Sequence, residues 1–212
     1  MPKTDPAREA LLTALEASGV SIPLWDGILI EETVRIAPGA TILPGCVLRG
    51  NTTIAAGSVI GPGSVLTDAV IGKNCTVKNT YITESTLEEN VSIGPFSQVR
   101  PGCHIAAGCK IGDFVEVKNS HIGQKTAIAH LTYVGDTDCG SGVNFGCGVA
   151  IANFNGKEKF RTTIGDNAFL GCNTNLVAPV TIGAGAYTAA GATVTKDIPA
   201  DALCIARARE VI

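Results

Sequence analysis

Aliphatic residues punctuate this chain at every sixth position. Ile54, Ile60 and Leu66 make one run, Ile93, Val99, Ile105 and Ile111 another, and Ile182, Thr188 and Val194 a third. A small or turn-forming residue often follows directly, as in Ile60-Gly61, Ile93-Gly94, Ile111-Gly112 and Ile182-Gly183. A period of six is neither the helix period nor simple strand alternation. It fits a chain that turns a corner every six residues, points one aliphatic side chain inward per side, and stacks side upon side. Writing each inward residue as position i, the frame runs from Ile36 to Ile151 and resumes from Ile164 to Val194. That is about 27 hexapeptides, hence about nine three-sided coils, roughly 43 Å long at ~4.8 Å per stacked strand.

Two stretches leave this frame. Near the start, Ala7, Leu11, Leu12 and Leu15 recur at helical spacing and predict a short helix. Residues 153–163 (Asn-Phe-Asn-Gly-Lys-Glu-Lys-Phe-Arg-Thr-Thr) are polar and aperiodic, so they are expected to leave the prism as a loop. Several steps, such as Leu66 to Ile71, are five residues rather than six. The organisation predicted is a helical lead-in over 1–30 and one β domain over 31–212, carrying the loop 153–163. The class is all-β, a single-stranded parallel β-helix in the form of a triangular prism. Its hand is not readable from the residues. Resemblance to the hexapeptide-repeat class implies a left-handed turn, and also a homotrimer with sites between adjacent prisms.

Composition adds limits. Twenty-five glycines and only 5% aromatic residues suit repeated tight corners around small inward side chains. The formal net charge of −3 gives no reason to expect nucleic acid or an anionic membrane as partner. Met1 to Arg8 is polar and no long apolar run follows, so no signal is read and the cytoplasm is the expected compartment. Of the eight cysteines, Cys46, Cys75, Cys103 and Cys109 all fall at i+4, a position taken elsewhere by Thr52, Ser64, Ser97 and Ala186. They read as inward, free thiols rather than disulfides. Cys147 and Cys172 differ, because they fall at i+2.

From residue 93 onward the strings become more specific than the rhythm. Ile93-Gly94-Pro95-Phe96, Val99-Arg100-Pro101-Gly102, Phe114-Val115-Glu116-Val117-Lys118 and Ala129-His130-Leu131-Thr132-Tyr133-Val134-Gly135-Asp136 are followed by Gly142-Val143-Asn144-Phe145-Gly146, Asn153-Phe154-Asn155-Gly156 and Leu176-Val177-Ala178-Pro179-Val180. Together they resemble the acetyltransferase domain of the bacterial bifunctional N-acetylglucosamine-1-phosphate uridylyltransferase / glucosamine-1-phosphate acetyltransferase. The resemblance implies acetyl transfer from acetyl-CoA to the amine of an amino-sugar phosphate, most readily glucosamine 1-phosphate. It makes His130 the proton acceptor, a role suited to an imidazole titrating near neutrality. Glu116, one coil earlier, takes the position that orients the imidazole. Arg100, Lys118 and Lys159 match the cations that bind the sugar phosphate, and Tyr133 and Asn144 match residues that hold the sugar. Cys147, Asn153, Phe154, Cys172, Ala190 and Arg207 match the acetyl-CoA contacts, with the backbone N–H at 147 offered to the thioester oxygen.

The chain departs from that pattern in places. Phe154 stands where the family usually has Tyr, and Cys147 and Cys172 stand where it often has Ala and Ser. No nucleotide-binding sheet precedes Ile36, so uridylyl transfer is not expected, and no basic tail follows Arg207. The alternatives kept open are acetylation of another, nucleotide-linked amino sugar, and a non-catalytic sugar-phosphate or CoA-binding relative. A metal is not expected. A three-histidine site needs convergent imidazoles, whereas His104, His121 and His130 fall at i+5, i+4 and i+2 and are expected to point different ways around the prism.

Overall fold

The computed structural model describes residues 5–211, so the first four residues and Ile212 of the expected segments lie outside the described residues. The helix spans Pro6–Ala17 and starts where the chemistry says it should. Asp5 caps it, its carboxylate accepting from the N–H groups of Ala7 (3.1 Å) and Arg8 (3.3 Å), and Pro6 occupies the first turn where no N–H is needed. Leu12 is fully buried and Leu15 packs against the core, so the helix closes one end of the β domain. Arg8 fixes it there by donating from Nε to the Ile28 carbonyl at 2.8 Å.

The rest is a parallel β solenoid. Its strands are two to four residues long and form three sheets, here called faces 1, 2 and 3. Face 1 has ten strands, from Thr41–Ile42 to Leu203–Cys204. Face 2 has ten, from Leu29–Ile30 to Thr193–Val194, and face 3 has nine, from Arg35–Ile36 to Thr181–Ile182. Going along the chain, face 1 leads into face 2 and face 2 into face 3. Each strand pairs with the strand one coil on, inward residue over inward residue: Ile93 over Ile111, Ile111 over Ile128, Ile128 over Phe145, Phe145 over Leu170. All five side chains are at most 2% exposed. Burial of each contributes about 1.5–3 kcal/mol. The same column of pairings fixes the register, because a slip of one residue would turn every inward side chain outward.

The corners explain how five- and six-residue steps coexist. Backbone in the left-handed region recurs three residues before the next inward position: Asn74 before Val77, Asn90 before Ile93, Asn119 before Ile122, Asp136 before Cys139. Where a step is short, as at Asp68, Asn79, Glu84, Asn119 and Asp136, the missing residue is taken from the segment leading into the corner. The turn itself is unchanged. Gly, Asn and Asp dominate these sites because they enter this region at little cost.

Two expectations need correction. Faces 1, 2 and 3 hold ten, ten and nine strands rather than nine each: Leu29–Ile30 pairs one six-residue step ahead of Ile36, and Leu203–Cys204 pairs after the six-residue timing has lapsed. Pairing also begins ahead of the boundary set at residue 30: Ser21 bridges Thr41, and Val20, Ile22 and Ile28 are already buried. Cys46, Cys75, Cys103 and Cys109 are buried, and all eight cysteines are free thiols. Burial pushes these four thiols up, and that of Cys139 to about 12, which keeps them protonated and unreactive. Among the described residues no helix is long and apolar enough to cross a membrane.

Ile111→Ala is expected to cost about 2–5 kcal/mol of unfolding free energy in a denaturant titration. Ser92→Ala, one residue before an inward position and exposed, is expected to change it by less than about 0.5 kcal/mol.

Candidate active site

The edge between faces 1 and 2 carries a column of side chains, one from each coil. Asp113 lies in register under His130. The pairings Phe145 with Ile128 and with Leu170 carry that register on to Cys147 and Cys172, and the pairing of Leu170 with Thr188 carries it to Ala190. Backbone hydrogen bonds trace the same line. Leu131 N donates to Asp113 O, Gly148 N to His130 O, Asn173 N to Cys147 O and Gly191 N to Cys172 O. Within the column, Nδ1 of His130 meets Oδ1 of Asp113 at 2.7 Å. The His130 hydrogen bond holds the Asp113 carboxyl below its ordinary value, so a carboxylate accepts there. In the neutral ring Nδ1 then carries the proton and Nε2 is left with a lone pair. The ring is more than half exposed, so that lone pair is open to a ligand.

Within this chain Glu116 does not lie beside His130. It stands on the outer side of face 2, three residues past Asp113 and around the corner, in register with Tyr133 rather than His130. Its Oε1 instead accepts from Nη1 of Arg100 at 2.9 Å. Strand register decides this: the coil-to-coil neighbour of His130 is Asp113. The signal was present in the sequence, since Asp113 is 17 residues, one short coil, before His130.

Face 2 forms a floor beyond that edge. Its outward residues, two per strand in successive coils, are Gln98 and Arg100, Glu116 and Lys118, Tyr133 and Gly135, Ala150 and Ala152. Long charged side chains thus give way to small ones. The Tyr133 ring folds over Gly135, where an added Cβ would lie 2.4 Å from the phenol oxygen and 2.9 Å from Nδ2 of Asn153. Only glycine leaves room for this packing.

The opposite edge, between faces 2 and 3, is organised by Asp136. It is buried, sits in the left-handed region at a five-residue corner, and accepts from Nζ of Lys118 at 3.2 and 3.1 Å, Nδ2 of Asn119 at 2.6 Å, and Nδ2 of Asn153. Burial alone would push its carboxyl up. The bonds from Asn119, Asn153 and Lys118 outweigh burial and hold it below the usual value. The loop leaves from this corner. Phe154 bridges Lys159, Phe160 N donates to Asn153 O at 2.8 Å, and Arg161 forks onto Asp138 at 2.9 and 2.6 Å. Lys118, Asn119, Asp136, Lys159, Phe160 and Arg161 line an open cleft of about 500 Å³. Asp136, Asn119 and Arg161 were missed by sequence reasoning; the five-residue step was the available clue for the first two.

The other expected residues are distributed around these features. Asn144 is half-buried on face 1, between Ala127 and Phe169. Cys147 is half-buried and Cys172 exposed, both in the His130 column, where Ala190 also lies. Asn153 is buried with its amide nitrogen spent on Asp136, and Phe154 is exposed on the loop. Arg207 is exposed past the last strand, its Cδ near Gly191. The expected cofactor residues therefore divide between the two edges of face 2. The histidines also differ from expectation. His104 and His121 share face 3 in register, their rings 6.1 Å apart, because the five-residue step before His121 moves it to the outward position. Among the described residues no group of three or more His, Cys, Asp or Glu side chains is placed to hold a metal ion.

The profile of the family described as bacterial transferase hexapeptide (six repeats) matches residues 33–68, 84–119 and 161–196, just over half of the chain. The chain belongs to that family. Curated relatives at higher similarity carry the name bifunctional protein GlmU. That of Clostridium kluyveri is 47% identical over 194 residues, covering 92% of this chain and 42% of the relative. That of Acetivibrio thermocellus is 46% identical over 205 residues, covering 97% and 44%. The chain thus spans less than half the length of the curated relatives it matches. Among solved structures, the UDP-N-acetylglucosamine acyltransferase of Francisella novicida aligns over 83% of this chain and 64% of that one, at 19% identity and a TM-score of 0.47. The hexapeptide family supplies the prism, and the Asp113–His130 pair and the Asp136 network are what this chain builds on its edges.

Asp136 gives a pH test. Its folded value lies below the unfolded one, so its contribution to stability is present above the ordinary carboxylate range and is lost as pH falls through the folded value. Thermal melts are expected to fall on acidification below about pH 4. Asp136→Asn is expected to lower the melting temperature at pH 7 and to flatten that acid limb.

Proposed function

We propose that this chain transfers the acetyl group of acetyl-CoA to the amine of an amino-sugar phosphate, glucosamine 1-phosphate giving N-acetylglucosamine 1-phosphate, as a cytoplasmic homotrimer. The observation that carries the reading is the Asp113–His130 pair, an exposed imidazole whose Nδ1 is held by a carboxylate. The family's transferase character and the similarity to GlmU proteins support it.

An ammonium has no lone pair with which to attack a thioester. In this reading Nε2 of His130 takes the proton as the amine nitrogen bonds to the acetyl carbon, and Asp113 stabilises the imidazolium that results. The tetrahedral oxyanion is met by the Cys147 backbone N–H, and collapse releases CoA as a thiol, the proton returning from His130. Lys118, Lys159 and Arg100 hold the sugar phosphate over the floor of face 2, where Tyr133 packs against the ring. Glu116 sets the Arg100 guanidinium, a substrate-positioning task rather than an orienting one.

The division of the site supports the trimer. The base column and the loop lie on opposite edges of face 2, separated by the length of a strand, so the corner of one prism and the loop of another together enclose a substrate. The edge beside His130 is suited to such contact. Phe96, Phe114 and Leu131 follow one another up the corner, each more than half exposed, with the two phenyl rings stacked 5.6 Å apart. All three occupy the left-handed region, which is costly for bulky residues.

The test is acetyl transfer to a panel of amino sugars and their phosphates, following N-acetyl product by mass. Turnover on glucosamine 1-phosphate is expected. His130→Ala should lower kcat by about 10²–10⁴. Asp113→Asn should lower kcat and shift its pH profile, while Glu116→Gln should act mainly on KM. Turnover on another sugar alone would move the acceptor, and CoA binding without turnover on any amine would leave a binding scaffold. Light scattering should give three times the 21.7 kDa chain mass.

A further inference from the structure

Cys147 and Cys172 are vertical neighbours. They follow the in-register pairs Asn144–Phe169 and Phe145–Leu170 by two residues, and Asn173 N donates to Cys147 O at 2.8 Å, which locks the two backbones side by side. In-register parallel strands lie about 4.8 Å apart, within the ~4.4–6.8 Å range of Cα separations that a disulfide spans. Both thiols reach the surface, Cys172 exposed and Cys147 half-buried. The remaining cysteines are unlike them. Five are buried, and Cys204 lies half-buried in the last coil.

We propose that Cys147 and Cys172 are a reversible redox site, closing to a disulfide under peroxide and reopening with a dithiol reductant. The exposed Cys172 thiolate attacks hydrogen peroxide, breaking the O–O bond to give a sulfenic acid and hydroxide, which leaves as water with the thiol proton. Cys147 sulfur then attacks the sulfenic sulfur, forming S–S and expelling the oxygen, which takes the Cys147 proton and departs as a second water. The two sulfurs lose two electrons together and the peroxide gains them. A dithiol reductant reverses the change by thiol–disulfide exchange. Such a bond fills the segment of the column immediately after His130. This effect on turnover rests on the reading that acetyl-CoA lies along the column; the cross-link itself does not.

The experiment treats the reduced, full-length protein with a small excess of hydrogen peroxide. Intact mass and non-reducing peptide mapping are followed beside N-acetyl product formation. The expected result is a loss of two of the eight thiols, one linked peptide pair containing Cys147 and Cys172, and at least tenfold slower turnover that dithiothreitol restores. Cys172→Ser should form no linked pair, and its turnover, whatever its untreated level, should no longer respond reversibly to peroxide. Cys204→Ser should link as the parent does. Linkage of Cys109 to Cys139, stable oxidation of Cys172 alone, or linkage that leaves turnover unchanged would each overturn the proposal. If the reduced protein acetylates no amine in the panel, the functional reading fails, while peptide mapping still decides whether the two cysteines join.

Discussion

The structure depends on one repeated contact, an inward aliphatic side chain resting on its counterpart a coil away. Ile93, Ile111, Ile128, Phe145 and Leu170 form one such stack, and the other two faces are built the same way. The strands are too short to persist alone, so their pairing is enforced by the burial of these stacks. Because inward and outward residues alternate, the stacks also settle which side chains share an outer column. The distance between Asp113 and His130 is in this sense a by-product of Ile111 lying under Ile128.

The corners give the second level of control. A turn residue held three positions before each inward side chain lets the chain lose a residue without losing register, at a few places only. One of those places makes Asp136 possible. A carboxylate there is drawn under the surface, where Lys118, Asn119 and Asn153 surround it, and three coils of the edge are bound to a single charge. A six-residue corner would have set the same side chain in a different relation to Lys118.

Most of the fold was legible because it follows from a count: the period of six, the inward positions and the small residues at i+4 all occupy their expected places. The coil total failed at the two ends: Leu29–Ile30 keeps the six-residue step but lies ahead of Ile36, and Leu203–Cys204 pairs after that timing has lapsed. The site was less legible. His130, Lys118 and Tyr133 stood out through their strings, whereas Asp113 and Asp136 matter because of what lies one coil away, a relation set by step length. The same arithmetic misled in the case of His104 and His121, which a five-residue step brings onto one face.

The excursion after Ala152 bears on how such a protein changes over generations. The chain departs at Asn153 and returns at Thr162, whose N–H meets Asp136 O, and the strands on either side keep their partners: Ala150 with Asn175, and Thr163 with Asp138 and Thr181. Lengthening or rewriting that segment therefore disturbs no inward stack. The cleft that Lys159 and Phe160 help to line can be reshaped by mutation and insertion there while the inward stacks stay as they are.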